Sequence, residues 1–227
     1  MVARGCFVTG TDTGCGKTEV TLGLMYKLQS SGLRVAGMKP VASGAQQTAQ
    51  GLRNEDALRI QRQAGIAVPY EQVNPYAYEP PIAPHLAAAQ ANRPIRLETI
   101  LHACRQLAVV TDWIVVEGVG GWQVPLGPGL VLGNLVKKLN LPVILVVGMR
   151  LGCLNHAILS AESILNAGFI LKGWVANQVD RDMQALDENL QTLHQWLPAP
   201  CLGEVPYLQA PSPEQVGRYL TLPTGDQ

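Results

Sequence analysis

The chain has 227 residues, 47% hydrophobic and 15% charged, enough apolar material for one substantial core. Lys plus Arg and Asp plus Glu are equal at 17 each, so no global field draws the chain to nucleic acid or to a membrane surface, and any anion must be met by a local site. No apolar run approaches ~18 residues and the first residues hold no charged leader with a cleavage site, so neither a membrane span nor a secretion signal is expected.

The first strand signal is Cys6-Phe7-Val8, and it runs into Gly10-Thr11-Asp12-Thr13-Gly14-Cys15-Gly16-Lys17-Thr18 at the start of a helix. Glycines in such a turn let backbone N–H groups converge on phosphate oxygens, and the helix N-terminus adds partial positive charge. Lys17 is placed for β- and γ-phosphates and the Thr18 hydroxyl for Mg²⁺. Five residues, where the standard phosphate loop has four, separate Gly10 from Gly16. Lys17 to Ser31 carries a helical apolar side of Val20, Leu22, Leu24, Met25 and Leu28.

Arg34 to Met38 reads as a short strand, with Lys39-Pro40-Val41-Ala42-Ser43-Gly44 at its exit, the end of a strand where open α/β sheets bind ligands. A solvated loop lysine is the plainer reading of Lys39. Asn54-Glu55-Asp56 opens the next helix, with Asn54 as cap; Asp56 suits the first turn and is equally a metal-ligand candidate. Val68 to Pro84 is rich in Pro and Tyr and reads as an ordered excursion. His85 after it caps or packs.

Leu97, Ile100, Leu101, Cys104, Leu107 and Ala108 mark a one-faced helix, and Trp113 to Glu117 a strand apolar enough to be interior in a parallel sheet. Glu117 closes that strand ahead of Gly118-Val119-Gly120-Gly121, the position of a Mg²⁺-holding carboxylate. Leu141 to Val147 is another buried strand, leading through Gly148 to Asn155 into a helix with Leu154, Ile158, Ala161, Ile164 and Leu165. Leu171 to Asn177 is a strand, Met183, Leu186, Leu190, Leu193 and Leu197 mark a helix, and Cys201 to Val205 a last strand before Pro206-Tyr207-Leu208. Strands alternating with helices imply βαβ units. The expected fold is α/β: a P-loop NTPase-type, mostly parallel sheet with helices on both faces, residues 1–227 forming one domain.

Cys6, Cys15, Cys104, Cys153 and Cys201 form no C-x-x-C pair, and His85, His102, His156 and His194 show no zinc spacing. Free thiols in a reducing cytoplasm are expected, with no cysteine chemistry.

Three classes share these features: a small-molecule ligase using ATP, a nucleotide switch and a kinase. Asn177-Gln178-Val179-Asp180 is similar to the Asn-Lys-x-Asp guanine reader of GTPases, but Gln178 stands where the lysine belongs. Gly10 to Thr13 lacks the extra early lysine of ParA-like ATPases.

Taken along the chain, the ordered motifs resemble the dethiobiotin synthetase family. These are the widely spaced Gly-Thr-Asp-Thr-x-x-Gly-Lys-Thr loop at Gly10 to Thr18, Lys39 to Gly44, Asp56, Val73 to Tyr76, Pro84-His85, Val116 to Trp122, Leu151 to His156 and Gly173 to Asn177. The resemblance runs from about Phe7 to Tyr207. It implies that 7,8-diaminononanoate, CO₂ and ATP give dethiobiotin, ADP and phosphate through a carbamate and a carbamic–phosphoric anhydride, in biotin biosynthesis.

By the same resemblance Lys39, Lys17, Thr13 and Ser43 would be catalytic. ATP would be held by Gly14, Cys15, Gly16, Lys17, Thr18, Glu19, Asp56, Glu117, Gly118, Val119 and Gly120. Asn177 would read adenine beside Gln178, Pro206, Tyr207 and Leu208, with Glu214 as a ribose contact. Mg²⁺ would sit on Thr18, Asp56 and Glu117. The substrate would meet Lys39 and Ser43, and the turn Gly152, Cys153, Leu154 and Asn155 would hold its carboxylate in a homodimer whose interface the substrate chain crosses. A runner-up, an amide-forming ligase on a cofactor precursor, brings a glutaminase domain for which no length remains.

Overall fold

The computed structural model describes residues 4–222. β1 (Gly5–Gly10) is buried along its whole length, and α1 (Lys17–Ser30) buries Val20, Leu22, Leu24, Met25 and Leu28. β2 (Val35–Met38) follows, then β3 (Val41–Ala42) and a hairpin of β4 (Gln46–Thr48) and β5 (Gly51–Arg53). α2 (Glu55–Gln63) starts where Asn54 accepts the Ala57 N–H at 3.2 Å, the expected cap.

The Pro- and Tyr-rich stretch is ordered: α3 (Tyr70–Val73), β6 (Tyr76–Ala77) paired parallel with β3, and α4 (Pro84–Gln90), with Tyr70, Tyr76 and Tyr78 buried. α5 (Leu97–Val110) and β7 (Trp113–Glu117) lead to β8 (Pro125–Gly127), β9 (Leu130–Val131) and α6 (Leu132–Leu139). β10 (Val143–Met149), α7 (Cys153–Asn166), β11 (Leu171–Gln178), α8 (Leu186–Trp196), β12 (Cys201–Val205) and α9 (Pro213–Arg218) complete the order.

Six strands form one parallel sheet in the order β12-β11-β10-β1-β7-β2. β1 and β10 are buried at every residue, as strands covered on both faces must be. β1 lies between β10 and β7, so three loops meet at the carboxyl end of the sheet: the glycine-rich turn after β1, Gly118–Gly121 after β7, and the turn after β10. One hydrophobic core runs through the sheet and its helices.

The register between β11 and β12 passes from Trp174 opposite Cys201 to Val175 opposite Gly203, so Leu202 is the extra residue of a β-bulge. Outside β12, Leu220 bridges Gly203 in antiparallel sense and Thr221 donates its N–H to the Leu202 carbonyl at 2.7 Å. A Cβ on Gly203 would run into the Tyr219 carbonyl, so only glycine admits this strap.

Two expectations change. Met183 lies outside α8, which starts at Leu186. Asp180 accepts the Asp182 N–H, Gln178 donates to the Asp180 and Arg181 carbonyls, and Ala185 is left-handed at φ 54°; together they hold a turn where the apolar spacing suggested helix. α6 is absent from the sequence-based expectations, although Leu132, Leu135, Val136 and Leu139 face its core side.

Candidate active site

The loop after β1 is built around two left-handed glycines, Gly14 (φ 74°) and Gly16 (φ 87°). At Gly16 the φ alone demands glycine, and a Cβ would also strike the Asn177 side chain. Asn177, at the end of β11, donates its amide to the Cys15 carbonyl at 3.1 Å and thereby braces the loop from the neighbouring strands. The Cys15 side chain is fully buried under the loop. Lys17 is buried too, its ammonium donating to the Asp12 carbonyl at 2.9 Å. Asp12 accepts the Thr13 N–H at 2.7 Å and is gripped by Arg150 at 2.5 Å, which ties the loop to the turn after β10.

The ammonium of Lys39 sits between two carboxylates, 2.8 Å from Asp56 and 2.5 Å from Glu117. The Thr18 hydroxyl donates to the same Glu117 oxygen at 2.9 Å. Glu117 is fully buried, and its second oxygen has no hydrogen-bond partner. Burial alone would lower the Lys39 pKa, but Glu117 and Asp56 outweigh it and hold the ammonium above its ordinary value. Burial likewise pushes the Asp56 carboxyl up, and Lys39, with help from Thr18 and Arg59, more than offsets that and leaves it lowered. At neutral pH Lys39 and Asp56 are therefore an ammonium and a carboxylate, not a neutral pair.

Thr13, Gly14, Gly16, Lys17, Thr18, Glu19, Lys39, Asp56, Arg59, Glu117 and Gly120 line one cleft of about 250 Å³. A family model described as an AAA domain matches residues 4–215. A relative from Cellvibrio japonicus (strain Ueda107), named ATP-dependent dethiobiotin synthetase, is 50% identical over 222 residues, which is 98% of this chain and 97% of that one. A relative of the same name from Pseudomonas aeruginosa PAO1 is 54% identical over 217 residues, 95% of each chain. Another from Escherichia coli K12 is 46% identical over 223 residues, 97% of this chain and 99% of its own.

The chain belongs to the ATP-dependent dethiobiotin synthetases.

Among solved structures this synthetase fold is similar to a ParA family ATPase from Chlorobium tepidum (TM-score 0.55, 13% identity, 96% of this chain and 90% of that). It is also similar to an Aquifex aeolicus chain in a MinC:MinD cell division complex (TM-score 0.53, 14% identity, 95% and 86%). At such identities the likeness is one of fold.

Of the site residues that the synthetase resemblance implies, the cleft gathers Thr13, Gly14, Gly16, Lys17, Thr18, Glu19, Lys39, Asp56, Glu117 and Gly120. Gly118 donates its N–H to the Val8 carbonyl at 2.9 Å, and Val119 is half-buried after it; these hold the second loop beside the first. Ser43 stands outside the lining; its carbonyl accepts from Asn54 at 3.3 Å, and its hydroxyl oxygen is buried without a partner.

Gln178 and Tyr207 are brought together, the Tyr207 N–H donating to the Gln178 side chain at 3.1 Å. With its amide also on the Asp180 and Arg181 carbonyls, Gln178 is a brace for the Pro206–Leu208 segment. Gly152 caps α7 in the left-handed region; Cys153 is buried, Leu154 half-buried and Asn155 exposed, all outside the cleft lining. Glu214 lies in the first turn of α9 and pairs with Arg218 at 2.8 Å.

Arg59 was missed by sequence reasoning. It lines the cleft and grips Glu19 with two bonds of 2.6 and 2.7 Å. Those bonds, ahead of the opposing effect of burial and with the nearby carboxylates, raise its pKa, so it is a permanent cation at the cleft wall. Its signal was present: three residues after Asp56 on α2, it shares that residue's side of the helix.

Proposed function

We propose that the cleft binds ATP with Mg²⁺ and that the protein uses it to join CO₂ to 7,8-diaminononanoate, giving dethiobiotin, ADP and phosphate. One amine of the substrate captures CO₂ as a carbamate. A carbamate oxygen attacks the γ-phosphorus and ADP leaves, forming the carbamic–phosphoric anhydride. The second amine then attacks the carbonyl carbon, and phosphate departs with the C–O bond as the ureido ring closes.

The observation that carries this reading is Lys39, buried at the exit of β2 and lining the same cleft as the buried Lys17. Negative charge grows on carbamate and phosphoryl oxygens along this path, and two fixed ammonium groups meet it with little reorganisation. Thr13 and Ser43 are the hydroxyls assigned to the amines and the carbamate; Thr13 lines the cleft. The amines pass their protons to carbamate or phosphate oxygens, so no side chain is needed as general base.

The unpartnered, fully buried Glu117 oxygen beside the Thr18 hydroxyl and the half-exposed Asp56 suits a hard cation with oxygen ligands. Thr18, Asp56 and Glu117 are the residues proposed to hold Mg²⁺. When bound, the ion neutralises the β- and γ-phosphate oxygens. Asn177 is assigned to adenine, Pro206, Tyr207 and Leu208 to the base pocket, Glu214 to the ribose, and the turn Gly152 to Asn155 to the substrate carboxylate.

A homodimer belongs to the reading: Leu151, beside that turn, is 97% exposed, and Leu159 and Leu165 on α7 are also exposed, the apolar surface a partner would cover. Among the described residues no helix is long and apolar enough to cross a membrane, and the free cysteines support a reducing cytoplasm. The deciding experiment is ADP release by purified protein: it is expected to require both the diamine and bicarbonate. Equal ATP hydrolysis without the diamine would sink the reading.

A further inference from the structure

Three side chains of different chemistry meet away from the cleft: His194 in the last turn of α8, and Cys201 and Glu204 on β12. One ligand atom from each, a ring nitrogen, the thiol sulfur and a carboxylate oxygen, all lie within 4.8 Å of one another. None of the three lines the nucleotide cleft.

The convergence has a backbone cause. Residues three apart on a regular strand point to opposite faces. The extra residue at Leu202 shifts the alternation by one, so Cys201 and Glu204 come to one side. α8 delivers the third group: the His194 ring nitrogen Nε2 is 2.8 Å from Glu204 Oε1, and the ring stands edge-on to the buried Trp174 at 5.2 Å and 65°. A carboxylate and a histidine alone make an ordinary surface pair. The sulfur beside them is what changes the chemistry.

We propose that His194, Cys201 and Glu204 bind one divalent cation of the zinc class. Imidazole, thiolate and carboxylate are the ligand set of borderline metals, and three protein ligands leave a fourth tetrahedral corner for water. Tetrahedral zinc asks for ligand-to-ligand separations of roughly 3.3–3.6 Å, so the outermost atom has to move by only about 1 Å. All three residues are partly or fully exposed, which leaves an entry path. The end of α8 presents carbonyl oxygens and so favours positive charge. On binding, the Cys201 S–H bond gives way to a sulfur–metal bond and the proton passes to solvent. Mg²⁺, which prefers six oxygens, does not compete for this set.

Co²⁺ is the probe. Titrated into the intact protein, it is expected to raise a thiolate-to-cobalt absorption band that saturates at one equivalent and that Zn²⁺ abolishes. Cys201→Ser should remove the band, and His194→Ala should weaken Co²⁺ binding at least tenfold. Cys201 is the one cysteine of the five that is not buried, so a thiol reagent reports on it first. Zn²⁺ should slow that reaction in the native protein and in Glu204→Gln less so, and not in His194→Ala. No thiolate band in the native protein, a band that survives Cys201→Ser, or thiol reactivity unaffected by Zn²⁺ would each overturn the proposal.

Discussion

Lys39 faces two carboxylates with one charge, and that imbalance governs how the site responds to mutation and to pH. In Lys39→Ala the fully buried Glu117 carboxylate loses its counter-charge, a loss that costs about 3–5 kcal/mol in comparable buried pairs. Denaturant unfolding should show that loss, while turnover drops more than tenfold, the equivalent of ~1.4 kcal/mol in the barrier, and ATP is still bound. Turnover equal to the native protein's would remove Lys39 from the mechanism.

The acid and alkaline limits follow from the same residues. Asp56 has a lowered folded pKa, so its stabilisation is present above its ordinary value of 3.8 and is lost as pH falls through the folded value. Lys39 has a raised one, so its contribution is present below 10.5 and is lost as pH rises through the folded value. Unfolding free energies measured across pH should fall less steeply on the acid side in Asp56→Asn than in the native protein.

At the scale of elements, the position of Asp56 depends on how α2 begins. The Asn54 side chain accepts from the Ala57 N–H and donates to the Ser43 carbonyl, and its backbone N–H donates to the Tyr70 hydroxyl oxygen at 2.8 Å, so one residue joins the helix start to the loop after β3 and to α3. Asn54→Ala should cost about 1–2 kcal/mol by thermal unfolding and weaken Mg²⁺-dependent nucleotide binding as well. A stability loss with unchanged Mg²⁺ dependence would confine Asn54 to capping.

This cap was legible in the sequence, as were the phosphate loop, the six strands of the main sheet and the acid at the end of β7, because each is written in adjacent residues. The partners of those residues were not. Arg150 meets Asp12 across 138 positions and Lys39 meets Glu117 across 78, and no local pattern encodes such distances. The turn at Asp180–Ala185 shows the opposite failure: Met183 keeps apolar helical spacing with Leu186, yet side-chain bonds to the backbone win over it. The family motifs carried most of the candidate site, but they could not show that Gln178 spends both ends of its amide on the backbone.

For the whole molecule, the parallel sheet has two edge strands, β2 and β12, and the latter lies next to Asn177 and the braced Gln178. α9 packs on α1 with Val216 and Leu220 fully buried, and Leu220 and Thr221 lie against β12. A chain ending at residue 212 loses those two side chains from the core, at roughly 1.5–3 kcal/mol each. Its thermal midpoint should fall, and light scattering on heating should begin earlier than for the intact chain.

The strap over β12 therefore has a meaning beyond packing. A strand whose outer N–H and C=O groups are unpaired is a template on which another chain can grow a sheet. Leu220 and Thr221 occupy that template at Gly203 and Leu202, in the antiparallel sense that a parallel sheet does not itself repeat. The molecule thus carries its own terminator: at Leu202 and Gly203 the backbone groups on which an outside strand could add are already taken by the chain itself.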